Sequence, residues 1–598
     1  MKKTISLLLV FLMVLGTVGC TQNTDTPDNS PEATESPAPS LEGTVADGTF
    51  TAVSRGMSDG LKVEVTFAGG KISDVKIVEH SETAYISDPA IEQMPAKIVA
   101  GNSVNVDAIA GATLTSNGII EGVKLAILDA GGKVEDFLAE TAAAEQQAVT
   151  MDVDLVIAGG GLSGLTAAIM AAEKGANVLL LEKTAQTGGS LALAAGNFIS
   201  VNSELAKEYG VEDNKEDAMT LWHKTADYGP DAPTLYPDYD RVDFMLDQVG
   251  DILDWMKAHG VPYYKASEAN SNNMVKIYTD GQGAAVATAL DQAARDAGVQ
   301  ILENTAATEL IVENGAVVGL LAESETQKLT VNAKNVFLAT GGFGKNPDMV
   351  NELTPDFVDA VTDGGAGNTG DGFRMAEAVG AVVYEDPWVI GAGIIVDPAL
   401  SNAVESTSAL AYKDKVLVDS TGKRFVSEDT GIPTVINNAV AIREGDVYAI
   451  FDSGNDEANL VLEAGVAAGA VFKGETVEAL AASAGIDAAA LAQTINAYNG
   501  YATAGADAEF GKNADNITAY GDGPFYAVVY KPRQIGTIAG VVTDYEGRVL
   551  DANGNSIIGL YAIGEMSNRE YYNQAYVGAA SLSLYSIAAK LAVESAIK

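Results

Sequence analysis

Residues 154–183, DLVIAGGGLSGLTAAIMAAEKGANVLLLEK, decide the fold of this chain. Residues 155–157 are an apolar run typical of a buried parallel strand, and Gly159, Gly161 and Gly164 follow at the spacing G-x-G-x-x-G. These glycines permit a tight turn, close approach of backbone N–H groups to a pyrophosphate, and close packing of a helix over 162–174. A second strand over 178–181 ends at Glu182, where a carboxylate reaches ribose hydroxyls. The stretch predicts a nucleotide-binding unit, and an ordinary glycine turn is the alternative.

Composition narrows the class of protein. The chain has 598 residues, of which 47% are hydrophobic, so it can bury several cores. With 36 basic and 81 acidic residues its net charge is −45, which repels nucleic acid and anionic lipid surfaces. Cys20 is the only cysteine, which excludes disulfides and iron–sulfur centres. We therefore expect no nucleic-acid partner and no metal site.

The N-terminus has the pattern of an export signal. Lys2 and Lys3 precede an apolar stretch over 5–18, too short for a stable membrane span, and Gly19-Cys20 follows. This arrangement resembles the bacterial lipoprotein signal, in which the cysteine is acylated and becomes the mature N-terminus, although Thr17 stands where that signal usually has leucine. We expect an exported protein, lipid-anchored to the outer face of the bacterial cell membrane or periplasmic, that contacts the membrane only through the lipid. A simple cleaved secretion signal is the alternative.

Patterning along the chain predicts an α/β fold with several domains. Apolar residues alternate from Leu61 to Phe67 and then recur at helical spacing over 116–128, as in a small α+β domain. The glycine segments Ala339–Gly342 and Gly559–Glu565 indicate that the Rossmann-like domain is discontinuous. The predicted parts are a lipoprotein signal (1–20), a proline-rich linker (21–47), the α+β domain (48–132), a connector (133–149), the nucleotide-binding domain (150–379 and 525–598) and an inserted α+β cap (380–524).

A family resemblance rests on several motifs in order: GGGLSGL, Thr187-Gly188-Gly189-Ser190, ATGGFGKN, Asn368–Gly372, KRFVSE and GLYAIGE. They resemble the flavin subunits of the fumarate reductase and succinate dehydrogenase superfamily, most of all its urocanate reductase branch, over about residues 150–598. The resemblance implies non-covalent FAD near eight residues: Gly159, Gly161, Gly164, Glu182, Gly189, Gly341, Asp371 and Glu565. NAD is the alternative, and the additional glycine motifs argue against it.

A second resemblance covers residues 107–116, DAIAGATLTS. It is similar to the FMN-binding domain of sodium-pumping quinone reductase subunits and of urocanate reductases. The resemblance implies that a flavin transferase joins the FMN phosphate covalently to Thr113, with Asp107 as the accompanying acid; Ala110 stands where that family usually has Ser or Thr. The alternative is a strand-to-helix turn in which Thr113 or Thr115 caps the next helix.

The resemblance also shows which catalytic residues this chain replaces. The slot of the proton-donating arginine holds Ile432, and the proton-relay slots hold Ser408 and Ala411. The two substrate-histidine slots hold Asp386 and about Gly536, and the carboxylate-binding arginine slot lies near Ala575. The replacements disfavour fumarate, succinate and urocanate as the substrate.

Tyrosines and arginines are the candidates to replace them. Tyr571, Tyr572 and Tyr576 lie on the expected substrate loop with Arg569 and Asn573, while Arg533 and Trp388 lie in the other two pocket segments. A tyrosine can donate a proton when a nearby cation stabilises its anion, and aromatic walls suit flat, conjugated substrates. The alternatives are packing tyrosines and arginines that bind FAD phosphate or lie on the surface.

These features together predict a two-flavin oxidoreductase acting on CH–CH groups. Electrons would pass from an external donor through FMN and FAD to an activated C=C bond of a small enoate, enone or aryl acrylate. One alternative is a dehydrogenase of the 3-ketosteroid type, although such enzymes need no electron-input module. Another is a non-catalytic electron-storage or ligand-binding lipoprotein.

Overall fold

The computed structural model describes residues 45–139, 145–226, 236–268, 274–404, 406–453 and 456–598. The predicted signal, Cys20 and the linker as far as residue 44 lie outside these ranges. Within them, no helix is both long and apolar enough to cross a membrane. Nor do the same ranges contain a group of three or more His, Cys, Asp or Glu side chains that could hold a metal ion.

The N-terminal module, residues 45–139, is an antiparallel three-stranded sheet packed against two helices. Its elements are β1 (Gly48–Arg55), β2 (Asp59–Ala68), β3 (Lys71–Glu79), α1 (Asp88–Gly101) and α2 (Thr113–Asp129). Leu61 and Phe67 and the apolar residues between them are buried in its core, as strand alternation predicts. Helix α2 begins earlier than the predicted residue 116, and it lies so close to the sheet that a Cβ at Gly122 would stand 2.6 Å from Cγ2 of Val63.

The chain then forms the glycine-rich strand–helix–strand unit and the elements that extend it. In chain order these are β4 (Gln147–Ala158), α3 (Leu162–Glu173), β5 (Val178–Leu181), α4 (Ser190–Leu193), β6 (Asn197–Ile199), α5 (Glu204–Glu208), α6 (Lys215–Ala226), α7 (Tyr239–Leu246), α8 (Val249–Ala258), β7 (Tyr263–Ser267), β8 (Lys276–Thr279), α9 (Gln282–Asp296), β9 (Gln300–Leu302), β10 (Ala306–Glu313), β11 (Ala316–Glu323), β12 (Gln327–Leu338) and α10 (Pro347–Leu353).

The C-terminal part contains the cap and the return to the first sheet. Its elements are β13 (Val361–Thr362), α11 (Asp371–Ala378), β14 (Trp388–Val396), α12 (Pro398–Ser401), β15 (Val416–Val418), α13 (Pro433–Ala441), β16 (Val447–Asp452), α14 (Asp456–Ala467), β17 (Phe472–Gly474), α15 (Val477–Ala484), α16 (Ala488–Ala504), β18 (Phe525–Ile538), β19 (Arg548–Leu550), β20 (Ser556–Ala562) and α17 (Ala580–Ala596).

The largest sheet carries the nucleotide-binding turn. Its strands run in the order β10-β11-β12-β4-β5-β9, and β20 pairs with β12 and β19. Strands β5, β4 and β12 are parallel, with Leu155 opposite Val178. Strand β20 pairs in parallel with β12, so the C-terminal residues rejoin this sheet and the domain is discontinuous. Parallel strands deliver their carboxyl ends, and the turns that follow them, to one edge where ligands bind.

The cap is built on a second sheet. Strands β13, β18, β16 and β15 lie side by side, and β14 and β17 also pair with β18. The predicted cap ended at residue 524, yet β18 is the strand that holds this sheet together. The reason is that the start of β18, FYAVVY, is an unbroken apolar run that fits either sheet, and its pairing with β16 decides the outcome.

The motif KRFVSE stabilises the cap through buried ion pairs. Arg424 donates to Glu428 at 2.7 Å and to Asp507 at 2.9 Å, and Lys512 lies 3.2 Å from Glu428. All four side chains are buried. Buried charges are tolerated when they are paired in this way, so we assign these residues a structural role.

Candidate active site

One cavity of about 540 Å³ lies where three parts of the molecule meet. The glycine turn and the strand ends of the largest sheet form one wall, and residues of the cap strands β14 and β18 form another. The N-terminal module contributes a third group: Tyr85, Ile86, Pro89, Ala110 and Gly111. The site therefore needs all three parts of the chain.

The glycine turn fits a bound dinucleotide. A Cβ at Gly164 would lie 1.9 Å from the carbonyl oxygen of Gly159, and one at Gly159 would lie 2.3 Å from that of Ala339. A Cβ at Gly161, in contrast, would meet no atom within 4 Å, and Gly161 lines the cavity. The turn is therefore closely packed against the protein on one side and open to the cavity on the other. The open side lies beside the N-terminus of α3, a position that stabilises a pyrophosphate.

Glu182 lies at the end of β5 and lines the cavity, as a ribose-binding acid should. Its carboxylate accepts hydrogen bonds from the backbone N–H of Gly160 at 2.9 Å and of Thr184 at 2.8 Å. Burial raises the pKa of Glu182, and these hydrogen bonds oppose the rise. The carboxylate is held in place before any ligand binds.

The other residues predicted to contact FAD also line this cavity. Gly189 and Gly341 have left-handed backbones with φ of 50° and 75°, and a Cβ at Gly341 would lie 2.5 Å from Oδ1 of Asn368. Asp371 begins α11 and accepts a hydrogen bond from Nζ of Lys183 at 2.5 Å. The structure therefore brings together residues that lie far apart in the sequence.

Glu565 is buried in the cavity wall. Its Oε1 accepts hydrogen bonds from the backbone N–H of Thr537 at 2.7 Å and from the Thr537 hydroxyl at 2.9 Å. Burial raises the pKa of Glu565 to about 7, although the bonds from Thr537 act in the opposite direction. This carboxyl group can hold a proton near neutral pH.

The predicted FMN acceptor is accessible. Thr113 is exposed as the first residue of α2, Asp107 is also exposed, and Gly111 has a φ of 92° that a side chain would strain. No side chain caps α2, and the Thr115 hydroxyl donates instead to buried Glu82. The helix-capping alternative therefore does not describe this turn. The exposed hydroxyl leaves room for a phosphoester at the loop that borders the main cavity.

The structure corrects part of the predicted catalytic set. Tyr571, Tyr572 and Arg569 do not line the cavity. The Arg569 guanidinium donates to the carbonyl oxygens of Tyr572 at 2.6 Å and Asp386 at 3.0 Å, and burial lowers its pKa to about 10. The ring of Tyr572 stacks on the ring of Trp222, with 6.0 Å between the ring centroids, as the alternative of packing tyrosines predicts. These three side chains hold the loop in shape.

Tyr576 and Arg533 do line the cavity. Burial raises the pKa of Tyr576, so its phenol keeps its proton at neutral pH. Arg533 lies on β18, and its Nε donates to Asp363. Among the described residues, Arg533 is the one arginine in the cavity lining, and that lining contains no histidine. Asn573 and Trp388 are not among the lining residues.

The sequence analysis did not identify several side chains of this cavity, among them Tyr85, Lys276 and Tyr585. Lys276 is half-buried on β8, and burial lowers its pKa. Its Nζ lies 4.0 Å from the position of a Cβ on Gly578, in the loop that carries Tyr576. No motif surrounds Lys276, so its place in the cavity could not be predicted from the sequence.

Comparison with known families identifies both flavin-binding parts. The family model described as FAD binding domain matches residues 154–582, and the model described as FMN-binding domain matches residues 56–128. They confirm the predicted FAD-binding and FMN-binding domains. The predicted α/β fold with a cap and a small α+β domain is confirmed as well.

Individual relatives cover most of this chain. It is 28% identical to an NADH:acrylate oxidoreductase of Vibrio harveyi over 92% of its own length, but it spans only 61% of that protein. It is 29% identical to a urocanate reductase of Eggerthella lenta, covering 87% of this chain and 88% of the relative. The open conformation of a flavocytochrome c3 fumarate reductase superposes with a TM-score of 0.59 at 26% identity, covering 75% of this chain and 78% of that one.

Proposed function

We propose, because this chain belongs to the FAD binding domain family, that it is a reductase of activated C=C bonds supplied with electrons by FMN. An external donor would reduce FMN attached to Thr113, FAD would accept the electrons, and a small organic molecule would be the final acceptor. The relatives named as acrylate and urocanate reductases support this reaction class.

The observation that carries the proposal is the shared cavity. The N-terminal module reaches it through Ala110 and Gly111, the nucleotide-binding turn through Gly161, and the cap through Ile390 and Arg533. A site for electron entry, a site for FAD and a wall for an acceptor are thereby joined without an intervening domain. A dehydrogenase of the ketosteroid type would not need the first of these three.

The residues of the cavity suit a proton-coupled reduction. A bound reduced flavin supplies a hydride from its N5 position to an electron-poor carbon. Tyr576 holds a phenolic proton in the cavity wall, and Lys276 and Arg533 provide positive charge there. We assign Tyr576 the role of proton donor and Lys276 the role of polarising the acceptor, since cations lower the cost of charge that develops on a carbonyl or carboxylate.

The lining also narrows the acceptor. Fumarate and urocanate reduction in the resembling family uses arginines and histidines, and the slot of the proton-donating arginine holds Ile432 here. In the described part of the chain, Arg533 is the single arginine facing the cavity, and Asp363 already accepts from it. A monoanionic or neutral enoate, enone or aryl acrylate suits this lining better than a dicarboxylate.

Export and anchoring complete the proposal. The apolar stretch over 5–18 followed by the single cysteine, Cys20, supports acylation and placement on the outer face of the cell membrane or in the periplasm. An exported enzyme then needs an electron donor in the membrane or outside the cell, and a flavin transferase to load FMN. The net charge of −45 favours a body that stays off the anionic lipid surface.

Two experiments test the proposal. The first is a denaturing gel of protein expressed with a flavin transferase. The native chain should show a fluorescent band, and so should the control Thr51→Ala, which changes an exposed threonine of the same module. Thr113→Ala should lack this band. The reduced holoenzyme should then be mixed anaerobically with enones, cinnamates, acrylate and fumarate. Reoxidation by an enone or cinnamate is expected; reoxidation by fumarate alone would contradict the proposal.

A further inference from the structure

The N-terminal module contacts the nucleotide-binding domain along a seam that borders the cavity. The backbone N–H of Ala185 donates to the carbonyl oxygen of Ala110 at 3.4 Å, and a Cβ on Gly111 would lie 3.7 Å from Cβ of Thr184. The loop between β3 and α1 makes another contact, between the hydroxyl of Tyr85 and Thr187. The segment 184–187 therefore contacts both loops of the module.

Tyr85 is held in a conformation that bulky residues avoid. Its φ is 69°, in the left-handed region, and its backbone N–H donates to Oδ2 of Asp88 at 2.8 Å. Glycine would adopt this φ without strain, yet position 85 holds a tyrosine. A bulky residue in this region is a reason to look for a function of the side chain, because the surrounding contacts must maintain it.

The side chain of Tyr85 crosses the seam. Its hydroxyl lies 3.3 Å from both the carbonyl oxygen and the hydroxyl of Thr187, and the Thr187 hydroxyl itself donates to Oδ1 of Asp291 at 2.8 Å. Arg295 pairs with Asp291 at 2.7 Å. The donor direction is thereby fixed: Tyr85 donates to Thr187, and Thr187 donates to an anchored carboxylate.

The ring of Tyr85 also forms part of the cavity wall. Its Cε1 lies 3.1 Å from where a Cβ of Gly188 would stand, so a side chain at this position would crowd the ring. Gly188 precedes Gly189, one of the residues expected to contact FAD, and both Tyr85 and Gly189 line the cavity. The ring therefore closes the FAD cavity from the side of the module that carries Thr113.

We propose that Tyr85 is a positioning residue of the junction between the two flavins. Its ring completes the wall of the FAD cavity, and its hydrogen bond to Thr187 fixes the module, and with it the loop of Thr113, against that wall. The inference needs both flavins but does not depend on the identity of the organic acceptor. By linkage, FAD binding and docking of the module should stabilise one another.

Two variants separate the ring from the hydroxyl. Tyr85→Gly adopts the same φ without strain and removes the whole side chain, whereas Tyr85→Phe keeps the ring and loses the hydrogen bond. The matched control is Val53→Ala, an exposed residue of the same module. In each holoenzyme, a light pulse with a deazaflavin sensitiser and a sacrificial amine donates electrons to FMN, and absorbance reports their arrival at FAD.

We expect roughly tenfold slower transfer in Tyr85→Gly, because small displacements of reacting groups cost rate steeply. The same variant should release FAD faster. Tyr85→Phe, which loses only the hydrogen bond to Thr187, should slow transfer less than Tyr85→Gly does, and Val53→Ala should keep the native rate. A native transfer rate together with native FAD release in Tyr85→Gly would overturn the proposal. If Tyr85→Gly retains no FAD, the closing role is supported, and Tyr85→Asn, which also tolerates this φ, decides the transfer rate.

Failure of this inference and failure of the proposed function are distinguishable. The light-driven measurement contains no organic acceptor, so it gives a result even if no C=C compound reoxidises the enzyme. Conversely, an acceptor that reoxidises chemically reduced FAD at the native rate in Tyr85→Gly would leave the proposed function intact and locate the defect at the junction.

Discussion

Tyr571 and Tyr576 come from one loop, yet of the two only Tyr576 lines the cavity, because the ring of Tyr571 packs against the Arg241 guanidinium, 5.6 Å from ring centre to Cζ. Arg241 is buried and also donates to Glu570, which fixes this part of the loop. The same substitution, tyrosine to phenylalanine, therefore gives a test variant at Tyr576 and a control variant at Tyr571.

Tyr576→Phe should lower kcat by about a hundredfold, since general acid catalysis contributes about 10² to 10⁴ in rate. Tyr571→Phe should leave kcat within a few-fold and act mainly on stability. Steady-state kinetics with the best acceptor of the screen measures both. Equal losses in the two variants, or none in either, would remove the Tyr576 phenol from the reaction.

Lys276→Gln should raise KM for an anionic or carbonyl acceptor by about tenfold or more, because a hydrogen bond to a charged group contributes about 1.5 to 3 kcal/mol. The control is Lys265→Gln on the neighbouring strand, an exposed lysine that lies outside the cavity lining. FAD content should stay native in both variants. An unchanged KM in Lys276→Gln would show that this ammonium does not contact the acceptor.

Two glycine variants separate an effect on protein stability from an effect on FAD binding. Gly164→Ala places a Cβ 1.9 Å from the Gly159 carbonyl oxygen and should destabilise the protein by about 1 to 3 kcal/mol, the usual cost of overpacking. The Cβ of Gly161→Ala meets no atom within 4 Å, so without FAD this variant should keep the native unfolding temperature, while it should bind FAD more weakly. Calorimetry and FAD titration measure the two effects. Native FAD affinity in Gly161→Ala would mean that the pyrophosphate lies elsewhere.

Glu565 should make stability fall as pH rises toward neutrality. Burial raises its pKa from the ordinary 4.5 to about 7, so in that window the folded state holds a proton that the unfolded state has lost. The stability from this group is complete below pH 4.5 and is lost as pH rises through about 7, with a slope of at most about 1.4 kcal/mol per pH unit. Chemical unfolding of native chain and Glu565→Gln across this range isolates the effect; a difference independent of pH would contradict it.

Local patterns predicted the parts of the fold that local physics controls. The spacing of Gly159 and Gly164 allows only a tight turn under a closely packed helix, and the alternation from Leu61 to Phe67 fixes which face of β2 is buried. Both signals are contained within a short segment, so the sequence alone predicted the nucleotide-binding unit and the core of the N-terminal module.

Tertiary contacts decided the features that the sequence left open. Three tyrosines on one loop look alike in sequence, and the ion pair between Arg241 and Glu570 helps determine which of them faces the cavity. The run at the start of β18 suits either sheet until its partner strand is known. Lys276 and Tyr85 reach the cavity from segments with no motif, so only the assembled fold brings them there.

The central claim is that electrons pass from FMN on Thr113 to FAD and then to a C=C bond in one cavity. A double-mixing experiment tests it most directly: a one-electron donor first reduces the holoenzyme, an enone or cinnamate is then added without oxygen, and absorbance follows both flavins. The account predicts that both flavins reoxidise in native protein, and that in Thr113→Ala the donor no longer reduces FAD efficiently. Flavins that stay reduced with every unsaturated acceptor, or FAD reduction at the native rate without FMN, would contradict it.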